Sequence, residues 1–353
     1  MSNSIFRKLV NFNNQKVFVI AEMSGNHKNS RAVAKNFIIE AMKNGADIIK
    51  FQVYKPETIT FKSNNKDFRV DKSSLWNNYN NLFELYSKAY TPWDWIKELA
   101  TILDKKKFPW FASPFDKTAV DFLESINCKA YKIASPEITD VGLIEYVAKT
   151  KKPIIVSTGL ADEKDLDLAI NTIKKIHSQF AILKCTSAYP TPPEHLNLKA
   201  IPELKKIYNC PIGFSDHTIG FDSAKTAVAL GATIIEKHFK IDSDKTSIDE
   251  HFSAKLSELK NFKTEIDLVL KSLGKKTLKI ENSVKGSLNG RRSLYVVKDI
   301  KKGEKFSYDN VRSIRPSFGL HPKYLKKIIK KKASKNIKSG SRLKQDLVED
   351  FKK

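Results

Sequence analysis

The chain has 353 residues, a formal net charge of +24 and an apolar share of 41%, which is ordinary for a globular protein. That length exceeds one small core and suits one large domain with a smaller one beside it. No apolar run approaches the roughly 20 residues that span a bilayer, and the opening MSNSIFRKLVNFNNQKVFVI lacks a secretory apolar core, so a cytoplasmic protein without a membrane partner is expected.

Taken in chain order, short β-rich apolar runs alternate with helical patterns. They are Val17–Ser24, Asp47–Gln52, Pro109–Pro114, Ala130–Ser135, Pro153–Gly159, Ala181–Ser187, Pro211–His217 and Thr233–Phe239. Helical periodicity fills the gaps, for example over 33–43 and 163–176. Such alternation predicts parallel strands, and eight is the number that closes a (β/α)8 barrel. Asn44-Gly45-Ala46 and Gly231-Ala232 read as helix ends leading into strands. A doubly wound open sheet is the rival, but it would gather polar strand ends near one crevice, whereas here every run ends polar.

Two segments break the alternation. Residues 54–90 form a long polar connection with several aromatics, of the kind that covers an active site or stays irregular. A barrel domain over 1–273 is expected, then a lysine-rich linker over 274–290 and a small mixed domain over 291–353. The cysteines, Cys128, Cys185 and Cys210, are widely spaced and read as buried reduced thiols. The basic excess is mostly lysine spread along the chain, which reads as a solvated surface and not a nucleic-acid face, with some steering of anionic substrates.

In such barrels the chemistry gathers at the C-terminal ends of the strands. His217 and His238 end the neighbouring seventh and eighth runs, so both imidazoles can reach one ion. Imidazole with oxygen donors suits Mn2+ or a similar divalent ion, with positions left for water and substrate. Lys50 and Lys132 end the second and fourth runs after apolar residues and imply an anionic substrate, with Ser113, Ser135, Ser157, Ser187 and Ser215 adding hydroxyls. Glu22 is either a general base or the salt-bridge partner of a lysine, and Asp249 either orients a ligand or is a turn carboxylate. No dinucleotide fingerprint, P-loop or nucleophile elbow is present. Residues alone therefore lead to a metal-assisted enzyme acting on a small anion.

The strings IAEMSGNH, IIKFQ, ASPFD, YKIASPE, IVSTG, KCTSAYPTP, GFSDHT and IEKHF resemble the sialic acid synthase family. The tail with RRSLYVVKDIKKGE and SIRPSFGL is similar to the antifreeze-like (SAF) domain that ends those enzymes. MSGNH, AYTPW and SIRPSFGLHPK lean toward the pseudaminic acid synthases within that family. The resemblance implies that phosphoenolpyruvate lies against Lys50, Lys132, Ser113, Ser135, Ser157 and Ser215. A divalent metal, Mn2+ or else Mg2+ or Co2+, would sit on His217 and His238 and polarise an amino-sugar aldehyde. Glu22 would orient the aldehyde or the water, and Gln52 and Asp249 would hold the sugar. Ser187 stands where sialate synthases usually carry Asn. The resemblance also implies a domain-swapped homodimer in which Arg315 reaches the partner subunit's sugar. Its rivals are the same condensation on N-acetylmannosamine or a legionaminic precursor, and a non-catalytic carbohydrate- or nucleic-acid-binding protein.

Overall fold

Eight parallel strands close on themselves in the computed structural model, which describes residues 2–13 and 16–352. They are β1 (Phe18–Glu22), β2 (Ile48–Val53), β3 (Trp110–Pro114), β4 (Tyr131–Ile133), β5 (Ile154–Ser157), β6 (Phe180–Cys185), β7 (Ile212–Asp216) and β8 (Ile234–Lys240). Each pairs with the next, and β8 returns to β1 with Glu22 opposite His238. Closure excludes the open doubly wound sheet. Every expected run falls on a strand, with ends differing by a residue or two. A short strand β9 (Ala254–Lys255) continues beside the end of β8.

These runs form strands because both of their faces are covered. Residues of alternate parity point into the barrel or out toward the helices, and all five residues of β1 are buried. The helices are amphipathic. Arg31–Lys43 buries Ala34, Phe37, Ile38 and Ala41, one stripe at helical spacing. It starts at Ser30, whose hydroxyl accepts from the Val33 amide, and it ends at Asn44. Gly45 follows with φ of 88°, a conformation that favours glycine. A helix not foreseen from sequence, Ser2–Leu9, precedes β1 and buries Phe6 and Leu9. The Phe6 ring lies 5.8 Å from that of Phe111 near the start of β3.

The connection 54–90 is more ordered than expected. It contains helices Pro56–Ile59 and Leu82–Ala89, the second started by Asn81 accepting from the Glu84 amide. Its polar surface hid Leu85, which is buried.

Contacts divide the chain into Met1–Gly274 and Lys275–Lys353. The second unit holds an antiparallel pair, β10 (Ser293–Val296) and β11 (Val311–Ile314), over its own core of Leu294, Val296, Phe306, Val311, Ile328 and Leu343. Residues 275–290 contribute no buried side chain. Among the described residues no helix is long and apolar enough to cross a membrane.

Candidate active site

The centre of the barrel mouth is a buried ion network. Glu22 forms a close ion pair with Lys50, its partner in register across β1 and β2. The salt-bridge reading of Glu22 is thus present in the structure, with the carboxylate held against a lysine that lines the cavity of the barrel mouth. Lys50 and Lys132 each lie 3.0 Å from the same carboxylate oxygen of Glu236, and Ser215 Oγ donates to that oxygen at 3.2 Å. Glu236 lies within the string IEKHF and is a site residue that the strand-end pattern alone does not single out. The two lysines sit inside β2 and β4 rather than at their ends, so they approach the mouth from below.

Burial opposes charge on all four groups; the ion pairs overcome it at Glu236 and Lys50, and burial prevails at Lys132 and Glu22. Burial would raise Glu236, but Lys132 and Lys50 outweigh it and hold the carboxylate well below the usual range. Burial would lower Lys50, but Glu22 and Glu236 hold it above the ordinary lysine value. Lys132 is pulled down by burial and by Lys50, against the raising effect of Glu236. Glu22 is raised, chiefly by burial, despite Lys50.

The serines surround this network. The Ser135 hydroxyl accepts from the Gly159 amide at 2.9 Å. The Ser113 and Ser157 hydroxyls are enclosed and have no protein partner. Buried hydroxyls without partners are uncommon, and such groups are the ones a polar ligand can satisfy. Gly159 allows the serines to converge. A Cβ there would stand 2.2 Å from Ser187 Oγ, 2.7 Å from Ser135 Oγ and 2.9 Å from Cys185 Sγ.

His217 follows β7 and His238 lies in β8, and their ring centroids are 5.4 Å apart. His217 Nδ1 lies 3.1 Å from the Thr186 carbonyl, which fixes a proton on that atom and leaves Nε2 for a ligand. His217 is raised: burial lowers it, but Cys185, with Sγ 3.9 Å from Nδ1, outweighs that effect. The Cys185 thiol is brought down to about 7, since His217 and Lys132 overcome the raising effect of burial. His238 is held well below the ordinary value by burial, His217 and Lys50. Its Nδ1 is enclosed without a hydrogen-bond partner and lies 3.7 Å from Asp249 Oδ2. Asp249 itself accepts from Ser24 Oγ at 2.5 Å and from the Gly25 amide at 3.3 Å.

A cavity of about 730 Å³ opens above these groups. Lys50, Gln52, Lys132, Ser135, Ser157, Ser215, His217, His238 and Asp249 all contribute to its wall. Glu22, Ser113 and Ser187 are not part of that wall, and Glu22 is linked to it by its ion pair with Lys50. Connection 54–90 supplies Tyr54, Trp76, Leu82 and Tyr86 to its apolar side. Tyr189 and Phe252 pack on the histidines, at 4.4 Å from His217 and 5.0 Å from His238. Glu137, also on the wall, was missed from sequence. Burial pushes its carboxyl up to about 8 although Lys132 lowers it, and one of its oxygens has no partner. A neutral carboxyl there can donate a hydrogen bond into the cavity.

Arg315 lies in the second unit, exposed just after β11. Among the described residues no three His, Cys, Asp or Glu side chains gather tightly enough to enclose an ion. The two histidines fit one all the same. A catalytic cation needs open positions for water and substrate, and an orphaned buried imidazole nitrogen is a donor without an occupant.

Residues 37–278 match the NeuB family, and residues 291–349 match the SAF domain. A pseudaminic acid synthase of Campylobacter jejuni is 44% identical over 95% of this chain and 98% of its own length. One from Helicobacter pylori is 39% identical over 94% of this chain and 97% of its own. Among solved structures, an N-acetylneuraminic acid synthetase from Leptospira borgpetersenii in complex with citrate is 34% identical with a TM-score of 0.68. That likeness covers 77% of this chain and 90% of the other.

Proposed function

Because this chain belongs to the NeuB family, we propose that it is a pseudaminic acid synthase. In this reading it joins phosphoenolpyruvate to 2,4-diacetamido-2,4,6-trideoxy-L-altrose with water, giving pseudaminic acid and phosphate. The observation that carries the reading is the 44% identity with the Campylobacter jejuni enzyme across 95% of the chain. The mouth of the barrel supports it with two buried ammonium groups and the unpartnered hydroxyl of Ser157 on the cavity wall.

The chemistry divides among the chain's own residues as follows. Lys50 and Lys132 bind the phosphate and carboxylate of phosphoenolpyruvate, aided by Ser135, Ser157 and Ser215 on the cavity wall, while Ser113 and Ser187 are not on that wall. C3 of phosphoenolpyruvate forms a bond to the aldehyde carbon of the open-chain sugar. Water adds at C2, and phosphate leaves as the C–O bond breaks. Glu22, held against Lys50, orients the water or the aldehyde and can take up a proton on its carboxylate. Gln52 and Asp249 hold the sugar, and Glu137 donates to it. The preorganised lysines offset the negative charge of the substrate carboxylate and of the departing phosphate. His217 and His238 would hold a divalent cation, Mn2+ first with Mg2+ or Co2+ as alternatives, which when bound supplies Lewis-acid polarisation of the aldehyde. Free, buried cysteines fit a reducing cytoplasm as the place of reaction.

The decisive experiment measures phosphate release with phosphoenolpyruvate and a panel of amino sugars. Release is expected with the altrose-configured diacetamido sugar. Release only with N-acetylmannosamine, or only with the legionaminic precursor, would replace the pseudaminate reading. DNA binding without any release would replace the enzyme reading.

The proposed homodimer places Arg315 of a second copy against the sugar. Ending the chain at residue 290 is then expected to preserve phosphoenolpyruvate binding and to raise the sugar KM by roughly tenfold or more, the worth of one charge-assisted hydrogen bond. A truncated barrel that turns over sugar with an unchanged KM would remove Arg315 from the site.

A further inference from the structure

The two histidines sit on backbone that is held from the outside of the barrel. Asp216 precedes His217 and Lys237 precedes His238, so both point away from the mouth by strand alternation. They are direct partners in the β7–β8 register. Their charges meet at 2.9 Å with both side chains almost wholly enclosed, and Lys237 lies over the Phe221 ring at the start of the outer helix Asp222–Ala229.

The pair also clasps Thr218, on the far side of His217. Lys237 Nζ donates to the Thr218 carbonyl at 2.6 Å. Asp216 Oδ1 accepts from the Thr218 amide at 2.9 Å and from its hydroxyl at 2.7 Å. His217 is therefore bracketed by two residues tied to the neighbour of His238. Hydrophobic residues in place of a buried ion pair often serve stability equally well. They would not reproduce this grip on the loop. The grip matters most at His238, whose ring nitrogen Nδ1 has no hydrogen bond to fix it, so its placement depends on backbone and packing.

We propose that Asp216 and Lys237 are positioning residues that set the spacing of His217 and His238 for the divalent cation. The inference rests on the metal reading given above. Partners that orient metal ligands without touching the ion typically change affinity by roughly ten- to a hundred-fold.

The test uses the full chain with Lys237→Met and with the paired change Asp216→Leu/Lys237→Met, which leaves no unmatched buried charge. Free Mn2+ is followed by electron paramagnetic resonance, phosphoenolpyruvate binding by calorimetry without metal, and folding by thermal melting. Both variants are expected to bind Mn2+ roughly ten- to a hundred-fold more weakly, with phosphoenolpyruvate affinity within about threefold of the parent, because the lysines that hold it lie on β2 and β4. A folded paired variant that binds Mn2+ as the parent does overturns the proposal, since the pair then serves only to neutralise itself. A parent chain that binds no Mn2+ fails a different idea, the metal reading itself.

Discussion

Alanine at His217 or at His238 is expected to lower phosphate release by at least about a thousand-fold. Lewis-acid stabilisation of a developing alkoxide is worth several kcal/mol, and each 1.36 kcal/mol is a factor of ten in rate. Among the described residues no third His, Cys, Asp or Glu completes a ligand group with the pair, so one imidazole is too few to retain the ion. Folding should survive, because both rings line a cavity and Tyr189 and Phe252 remain packed around the gap. The readout is twofold: phosphate release at saturating substrates, and Mn2+ binding by electron paramagnetic resonance. Full turnover in chelator-treated buffer would refute the metal role. So would a variant that keeps more than a tenth of the parent rate.

That pair was legible in the sequence because strand count and strand order are. Each apolar run is buried on both faces, so each announced itself as a strand, and eight in series fixed which ends are neighbours. His217 and His238 became one site from that argument alone. The lysines were also legible, since an ammonium group inside an apolar run has few other uses. Their level was not: Lys50 and Lys132 lie within their strands, and the strand-end rule placed them too high.

The same alternation also fixes the direction of the residues between the strand ends. His238 faces inward, so Glu236, two residues earlier, must face inward too. It then needs cations, and Lys50 and Lys132 were already in the mouth. By the same parity Lys237 faces outward into apolar packing, where a lone ammonium is untenable, and register supplies Asp216 as its partner. Glu137 gave no such signal. It lies in a single 3-10 turn, Ser135–Thr139, where neither strand nor helix period applies. The helix Ser2–Leu9 was equally silent, being short, with few apolar residues among polar ones. The length and aromatics of connection 54–90 marked it as a candidate cover for the site, but which of its aromatics line the cavity gave no signal, because the segment buries isolated residues rather than a periodic stripe.

Replacing Lys132 by methionine separates the anion site from the metal site. Glu236 keeps Lys50 and Ser215 as partners, so no carboxylate is stranded and the fold should hold. The mouth, however, loses one of two cations and gains a net negative charge. Truncating a buried, hydrogen-bonded charge costs roughly 2–5 kcal/mol of binding, so the KM for phosphoenolpyruvate should rise by between about thirty-fold and several thousand-fold. Mn2+ affinity should barely move. The pH profile gives a second readout. Lys132 is lowered by burial and by Lys50, so its positive charge is present at low pH and is lost, as pH rises, earlier than an ordinary lysine would lose it. Lys50 is raised and stays charged throughout. Affinity of the parent for phosphoenolpyruvate should therefore weaken on the alkaline side, and that limb should be missing from Lys132→Met. A variant whose KM stays within about fivefold of the parent, or that keeps the alkaline limb, would show that Lys132 serves Glu236 and not the substrate, because a direct contact of this kind is worth more than that.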